Sequence, residues 1–219
     1  GTDEKNGEGN KNGMKDYMEL DSAAQDMLKE LGNIGTGNAI TALSAMLGKE
    51  IVMECPQVRV VGFNEVPDTL GGMEAIRVGV LVQTGGDISG IFMFLISESF
   101  TQVMLEHLLG FPVASGVNDE LASSAIAEVG NIMCCSYINA LSSLLGFKVE
   151  VSVPEVSRDM VGSLLSVPII YFADHSDNLL LIEDRYFIDD QSIVSHVLFL
   201  PNLESLKRIF NAVGEPYGR

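Results

Sequence analysis

Two glutamates and two asparagines stand out by their spacing. Glu30 precedes Asn33 by three residues, and Glu128 precedes Asn131 by three. On a helix, residues i and i+3 share a face. Asp26 and Ser124 lie four residues before the two glutamates, on that same face. The chain therefore carries two polar triplets, Asp26–Glu30–Asn33 and Ser124–Glu128–Asn131. An Asn amide cannot abstract a proton at neutral pH, but it can orient a water, its carbonyl accepting and its NH2 donating. Gln plays that part for the attacking water of GTPases. The chemistry suits hydrolysis of a phosphoryl group that is already activated and already held by Mg2+ on another protein. Glu would pair with a cation on that partner and fix the register. Orientation lowers a barrier substantially without general-base chemistry.

One E-x-x-N pair arises by chance in a chain with 17 Glu and 12 Asn. Two at matched positions, each with proline 23 residues after the Asn, are far more specific. A duplicated helix can keep residues for folding alone. Glu and Asn gain little on a solvated helix face, however, and Asn is a mediocre helix former. Functional use of at least one pair is the stronger reading.

The elements that must hold these triplets come as two copies of one unit. "ELGNIGTGNAITALSAMLGKEIVMECP" (30–56) aligns without gaps on "EVGNIMCCSYINALSSLLGFKVEVSVP" (128–154), at a constant offset of 98. Internal repeats of this kind come before any fold assignment. In the first copy the runs 57–63, 75–84 and 88–97 read as strands, with a hairpin turn at 84–87, and 98–110 as a helix closed by Gly110. In the second, 166–174, 178–187 and 193–200 read as strands and 202–214 as a helix capped by Asn202. Residues 155–166 look like an inserted short amphipathic helix. Each unit is thus a long helix, three strands and a short helix. Strands follow one another directly, which predicts an α+β fold with a mostly antiparallel sheet. A pseudo-two-fold axis should relate unit 1 (20–115) to unit 2 (116–219) in one compact domain, leaving both long helices partly exposed. Residues 1–19 read as a polar, disordered lead and not a signal peptide.

The first long helix contains "LKELGNIGTGNA" (28–39), whose glycines invite a phosphate-loop reading. Neither known spacing fits: the stretch follows a helix rather than a strand, and the second copy puts Met133 and Cys135 where the first has Gly35 and Gly37. Leu28, Leu31, Ile34, Ile40, Leu43 and Leu47 mark a helical apolar stripe, Asp21 or Ser22 can cap it, and Gly48 closes it. Each interior glycine costs about 0.8–1 kcal/mol relative to alanine. Close approach to the sheet or to the sister helix would offset that cost, and so would a smooth surface that brings a partner near Asn33. The sequence leaves both open.

Composition narrows the class. The net charge of −17 and pI near 4.3 disfavour nucleic acid and anionic membrane surfaces. The most apolar run, 88–97, is too short to span a bilayer. Three cysteines, Cys55, Cys134 and Cys135, form neither a disulfide framework nor a zinc pattern and suit a reducing, cytoplasmic setting. Cys134 and Cys135 read as small buried thiols, and His107, His175 and His196 as structural histidines. The acidic run 183–190 lacks an EF-hand spacing and reads as a solvated strand end and turn.

The pattern [DS]-x3-E-x2-N-x22-P, present as Asp26…Glu30…Asn33…Pro56 and Ser124…Glu128…Asn131…Pro154, resembles the CheC/CheX/FliY family of phosphatases acting on phosphorylated CheY. The likeness covers about residues 20–214, and two motifs in one chain resemble the CheC type most. The resemblance implies a partner response regulator whose aspartyl phosphate and Mg2+ sit in its own acidic pocket, so that this chain needs no cofactor of its own. Glu30 or Glu128 would contact the regulator's Lys, Asn33 or Asn131 would align water on the phosphorus, and Asp26 and Ser124 would support them. It also implies binding of CheD, a receptor deamidase. Residues 155–166, presenting Met160, Val161 and Leu165, are a candidate contact for CheD, or else an ordinary surface helix. A non-catalytic adaptor that binds CheD or phosphorylated CheY is the alternative function.

Overall fold

A computed structural model describes residues 22–110, 120–172 and 178–214. The polar lead, the proposed cap Asp21, His175 and the junction between the units at 115–116 lie outside them. In chain order the elements are α1 (Ser22–Leu47), β1 (Val52–Met53), β2 (Gln57–Gly62), α2 (Val66–Thr69), β3 (Ile76–Gly86), β4 (Gly90–Ser97) and α3 (Glu98–Leu109). There follow α4 (Glu120–Leu145), β5 (Val149–Val151), β6 (Glu155–Met160), α5 (Val161–Phe172), β7 (Asn178–Ile188), β8 (Gln191–Pro201) and α6 (Leu203–Gly214). The fold is α+β, and the strands form one antiparallel sheet of eight.

The order of that sheet shows how the halves are joined. From edge to edge it runs β1 and β2, β7, β8, β4, β3, then β5 and β6. Each unit therefore lends its first strands to the other: β2 pairs with β7 (Val58 opposite Ile182) and β6 with β3 (Val156 opposite Val80). At the centre β4 meets β8, with Phe92 opposite Phe199 and Phe94 opposite Val197. The Phe92 and Phe199 rings stack at 4.2 Å.

Both sheet faces are covered, which explains why the central strands are apolar almost throughout. On one face lie α1, α3, α4 and α6, above Val78, Val80, Val82, Phe92, Phe94, Ile182 and Phe199. The helices α1 and α4 run side by side there and touch. On the other face α2 and α5 cover Leu81, Ile91, Met93, Leu95, Leu181 and Leu198. The helix α4 is long and apolar enough to cross a bilayer by length and composition, but half of that apolar window is buried in this core.

Caps set the ends. Ser97 Oγ accepts from the Phe100 N–H at 3.1 Å to start α3, and Gly110 ends it at φ +74°. Asn202 Oδ1 accepts from the Ser205 N–H at 2.8 Å to start α6.

Residues 155–160 and 167–172 depart from the sequence expectation, and 173–174 lie outside the described residues. Residues 155–160 form strand β6, not the start of an inserted helix, while helix α5 begins at Val161 within the expected helix and continues to Phe172 through residues expected as a strand. Val167, Ile169, Ile170 and Tyr171 are strand-forming types, which is why the sequence predicts a strand there. What decides the segment is the buried set Leu164, Leu165, Pro168 and Phe172, spaced as one stripe of a helix. That stripe packs onto the sheet where Gly79 makes room: a Cβ there would lie 3.2 Å from Leu164 Cδ2. The segment thus lengthens a helix that the first unit has as the four residues of α2. Val161 and Leu165 are consequently buried, and only Met160 of the three suggested contact residues is exposed.

Candidate active site

Asp26, Glu30 and Asn33 are all exposed on α1, and Ser124 and Glu128 on α4, while Asn131 is half-buried. The apolar stripe of α1 (Leu28, Leu31, Leu43 and Leu47) faces the core and turns the triplet outward. On α4, Ile126, Val129, Met133 and Tyr137 do the same. Neither the Glu30 nor the Glu128 side chain makes a hydrogen bond or ion pair with another described residue. Asp26 lies 3.9 Å from Lys29 Nζ, an exposed pair worth little.

Gly32 and Pro56 explain the far end of the motif. Pro56 is buried against α1, and a Cβ on Gly32 would lie 3.6 Å from Pro56 Cγ and 2.7 Å from Val58 Cγ2. The segment between β1 and β2 therefore closes tightly over the helix beside Asn33. It delivers Cys55, whose thiol donates to Asn33 Oδ1 at 3.4 Å. In the second unit Pro154 lines an open cleft of about 470 Å³ together with Ser124, Ala127, Glu128, Asn131, Val151, Ser152 and Val153. There Asn131 Oδ1 accepts from the Cys135 thiol, one turn further along α4, at 3.6 Å.

The cysteines differ in setting. Cys134 is fully buried, and burial pushes its thiol far above the usual range. Cys135 is half-buried, and burial first, then the Glu128 carboxylate, push its thiol up. It is half-buried rather than fully buried as the sequence suggests, and Cys55 is exposed. His107 sits 3.2 Å from Asp189, and His196 3.2 Å from Glu183. Among the described residues no group of three or more His, Cys, Asp or Glu is arranged to hold a metal ion.

Beneath the two site helices lies a buried polar cluster that the sequence reading missed. Asp184 of β7, fully buried, accepts from the Thr36 hydroxyl of α1 at 2.7 Å and from the Tyr137 phenol of α4 at 2.5 Å. Thr36 and Tyr137 lie 2.6 Å apart, and Tyr186 and Ser195 extend the cluster with a 3.0 Å contact. The acidic run 183–190 is therefore not wholly solvated. Its one buried carboxyl joins both helices to the sheet, and burial raises its pKa against the opposing pull of its hydroxyl donors. The only available signal was the inward phase of Asp184 in an alternating strand.

Comparison with known proteins bears on the same segments. A model of the CheC-like family matches residues 24–59 and 121–158, each stretch enclosing one triplet and its proline. The CheY-P phosphatase CheC of Bacillus subtilis is 30% identical over 194 residues, spanning 86% of this chain and 93% of that protein. The flagellar motor switch phosphatase FliY of the same organism is 25% identical over 141 residues, 63% of this chain and 36% of that one. Among solved structures, FliY of Thermotoga maritima superposes with a TM-score of 0.73 at 24% identity, covering 90% of this chain and 98% of that chain. That likeness supports the fold.

Proposed function

The chain belongs to the CheC-like family, and we propose that it hydrolyses the aspartyl phosphate of a CheY-type response regulator at two sites, one on α1 and one on α4. The observation that carries this reading is the repeated, solvent-facing Glu–Asn pair, Glu30–Asn33 and Glu128–Asn131, placed on two adjacent helices of one sheet face. An exposed helix face, open along the cleft beside Asn131, does not enclose a small substrate, but it can dock against the pocket of another protein. An acyl phosphate is already activated, so the barrier is lowered mainly by aligning water in line with phosphorus. Asn33 and Asn131 would hold that water by carbonyl and NH2. Glu30 and Glu128 would pair with a cation of the regulator, and Mg2+ would be the regulator's own. Asp26 and Ser124, a turn earlier, would support docking. The free thiols suit the reducing cytoplasm.

The deciding experiment measures decay of the phosphorylated regulator with the parent, Asn33→Ala, Asn131→Ala and the double variant. Loss of the catalysed decay in the double variant supports water positioning, and undiminished decay refutes it.

A second reading, contact with CheD in an adaptor role, has one feature in its favour. The outer side of α5 exposes Val167, Ile169, Ile170 and Tyr171, with Ile170 at 78%. An apolar face of that kind suits a protein partner. Binding of CheD by the parent and its loss in Ile170→Glu, without phosphatase activity in the parent, would favour the adaptor.

A further inference from the structure

Each site asparagine has a thiol on its carbonyl oxygen, and the two thiols come from different places in the repeat. Cys55 reaches Asn33 from the segment between β1 and β2, where the second unit has Val153. Cys135 reaches Asn131 from the helix itself, where the first unit has Gly37. Common descent of the repeats does not account for this, since neither cysteine has a cysteine at its repeat-related position. What the sites share is the contact, Sγ–H to Oδ1.

The chemistry of that contact is directional. A protonated thiol is a weak donor and a carbonyl an acceptor, so the bond selects the orientation of the amide in which Oδ1 faces the protein. The NH2 group is thereby turned outward. The carbonyl keeps its second lone pair, so the amide can still receive a hydrogen from water. A thiol achieves this at low cost to the acceptor, because it binds less tightly than a hydroxyl. The environment of Cys135, half-buried and beside the Glu128 carboxylate, keeps its thiol protonated and hence a donor.

We propose that Cys55 and Cys135 are positioning residues, each fixing the amide of its site asparagine in the orientation that presents NH2 to the attacking water. This rests on the phosphatase reading above, and concerns residues outside the Glu–Asn motif. Neither cysteine touches the phosphoryl group. Each acts through its asparagine.

The test uses the full chain with one site silenced. In an Asn131→Ala background, Cys55→Ala is expected to lower kcat about three- to tenfold, the range of one neutral hydrogen bond, with KM held within about twofold. Cys55→Ser, which restores a donor, is expected to recover kcat to within about twofold of that background. Cys135→Ala and Cys135→Ser in an Asn33→Ala background should behave alike. A readout without the regulator accompanies this. In the infrared S–H stretching region, the difference between parent and Asn33→Ala should show one band moving to higher frequency as the thiol loses its acceptor. An active background enzyme with unchanged kcat in Cys55→Ala, or an unmoved S–H band in Asn33→Ala, overturns the thiol role alone. A parent that does not accelerate decay of the phosphorylated regulator overturns the phosphatase reading, and with it the catalytic consequence of these bonds, whatever the infrared band does.

Discussion

Tyr137 occupies the space that a side chain on residue 35 would need. A Cβ built on Gly35 falls 2.3 Å from Tyr137 Cδ1, so the ring of α4 lies directly against the backbone of α1. The repeat-related pair is Met133 and Ala39, both fully buried. Large and small residues have traded places between the copies, which is why the second unit lacks this glycine. Gly35 thus serves packing between the sister helices, and Gly32 serves packing on Pro56 and Val58. Gly37 differs: a Cβ there meets nothing within 4 Å.

Two alanine substitutions only two positions apart should therefore have opposite effects on stability. Gly35→Ala forces out a buried ring and is expected to destabilise by about 1–3 kcal/mol or more, the cost of overpacking. Gly37→Ala fills open space on a helix and is expected to stabilise by up to about 1 kcal/mol. Urea unfolding of both variants checks this, and equal midpoints would refute the assignment.

The carboxyl of Asp184 should make stability depend on pH. Its folded pKa is raised above the ordinary aspartate value of 3.8, chiefly by burial. The folded chain therefore holds a proton that the unfolded chain releases first. That contribution is fully present below about pH 3.8 and is lost as pH rises through the folded pKa. Asp184→Asn lacks the titration. The stability of Asp184→Asn minus that of the parent is expected to grow as pH rises from 3.8, then level off. A difference that stays flat, or shrinks with rising pH, would show that the folded pKa is not raised.

The exchange of strands makes the halves interdependent. Without β7 the edge strands β1 and β2 have no partner, and without β3 neither do β5 and β6. A fragment of residues 1–115 is expected to be unfolded as a monomer, or to fold only by pairing with a second copy across β4. Circular dichroism with sedimentation as a function of concentration distinguishes these outcomes from a stable monomer, which would contradict the interdependence.

Glu and Asn should separate in kinetics. Replacing Glu30 and Glu128 by Lys reverses the charge meant for a cation on the regulator, and is expected to raise KM at least about tenfold while kcat stays within about threefold. Replacing both asparagines by Ala should lower kcat roughly a hundredfold, on the order of 2.7 kcal/mol of transition-state stabilisation, with little change in KM. Steady-state decay of the phosphorylated regulator measures both. An equal fall in kcat for the two pairs would assign Glu a part in the chemistry itself.

Much of the site was legible because its information is local. Glu30 and Asn33 share a face by helical geometry alone, their repetition at 128 and 131 marks them as a pair, and the leucine stripe that turns them outward has its own period. The α+β class followed from the succession of strands, and the ends of α3 and α6 from Gly110 and Asn202. Residues 167–172 include strand-forming types, yet they are helical because the stripe from Leu164 to Phe172 gains more by burial on the sheet than propensity costs. Nothing local marks the contact of Cys55, since a cysteine before a proline has no periodic signature.

The sequence by itself determined that two like helices each carry a Glu and an Asn on one polar face, since helix periodicity and the repeat are written in neighbouring residues. Only the tertiary structure decided that each unit completes the other's sheet edge, that Tyr137 lies on Gly35, and that Thr36, Tyr137 and Asp184 meet in the core. It alone placed the Cys55 thiol on Asn33, whereas Cys135 lies one helical turn from Asn131. Those contacts join residues up to 148 positions apart, through packing and directional hydrogen bonds, and no local pattern encodes which distant side chain will fill a given space.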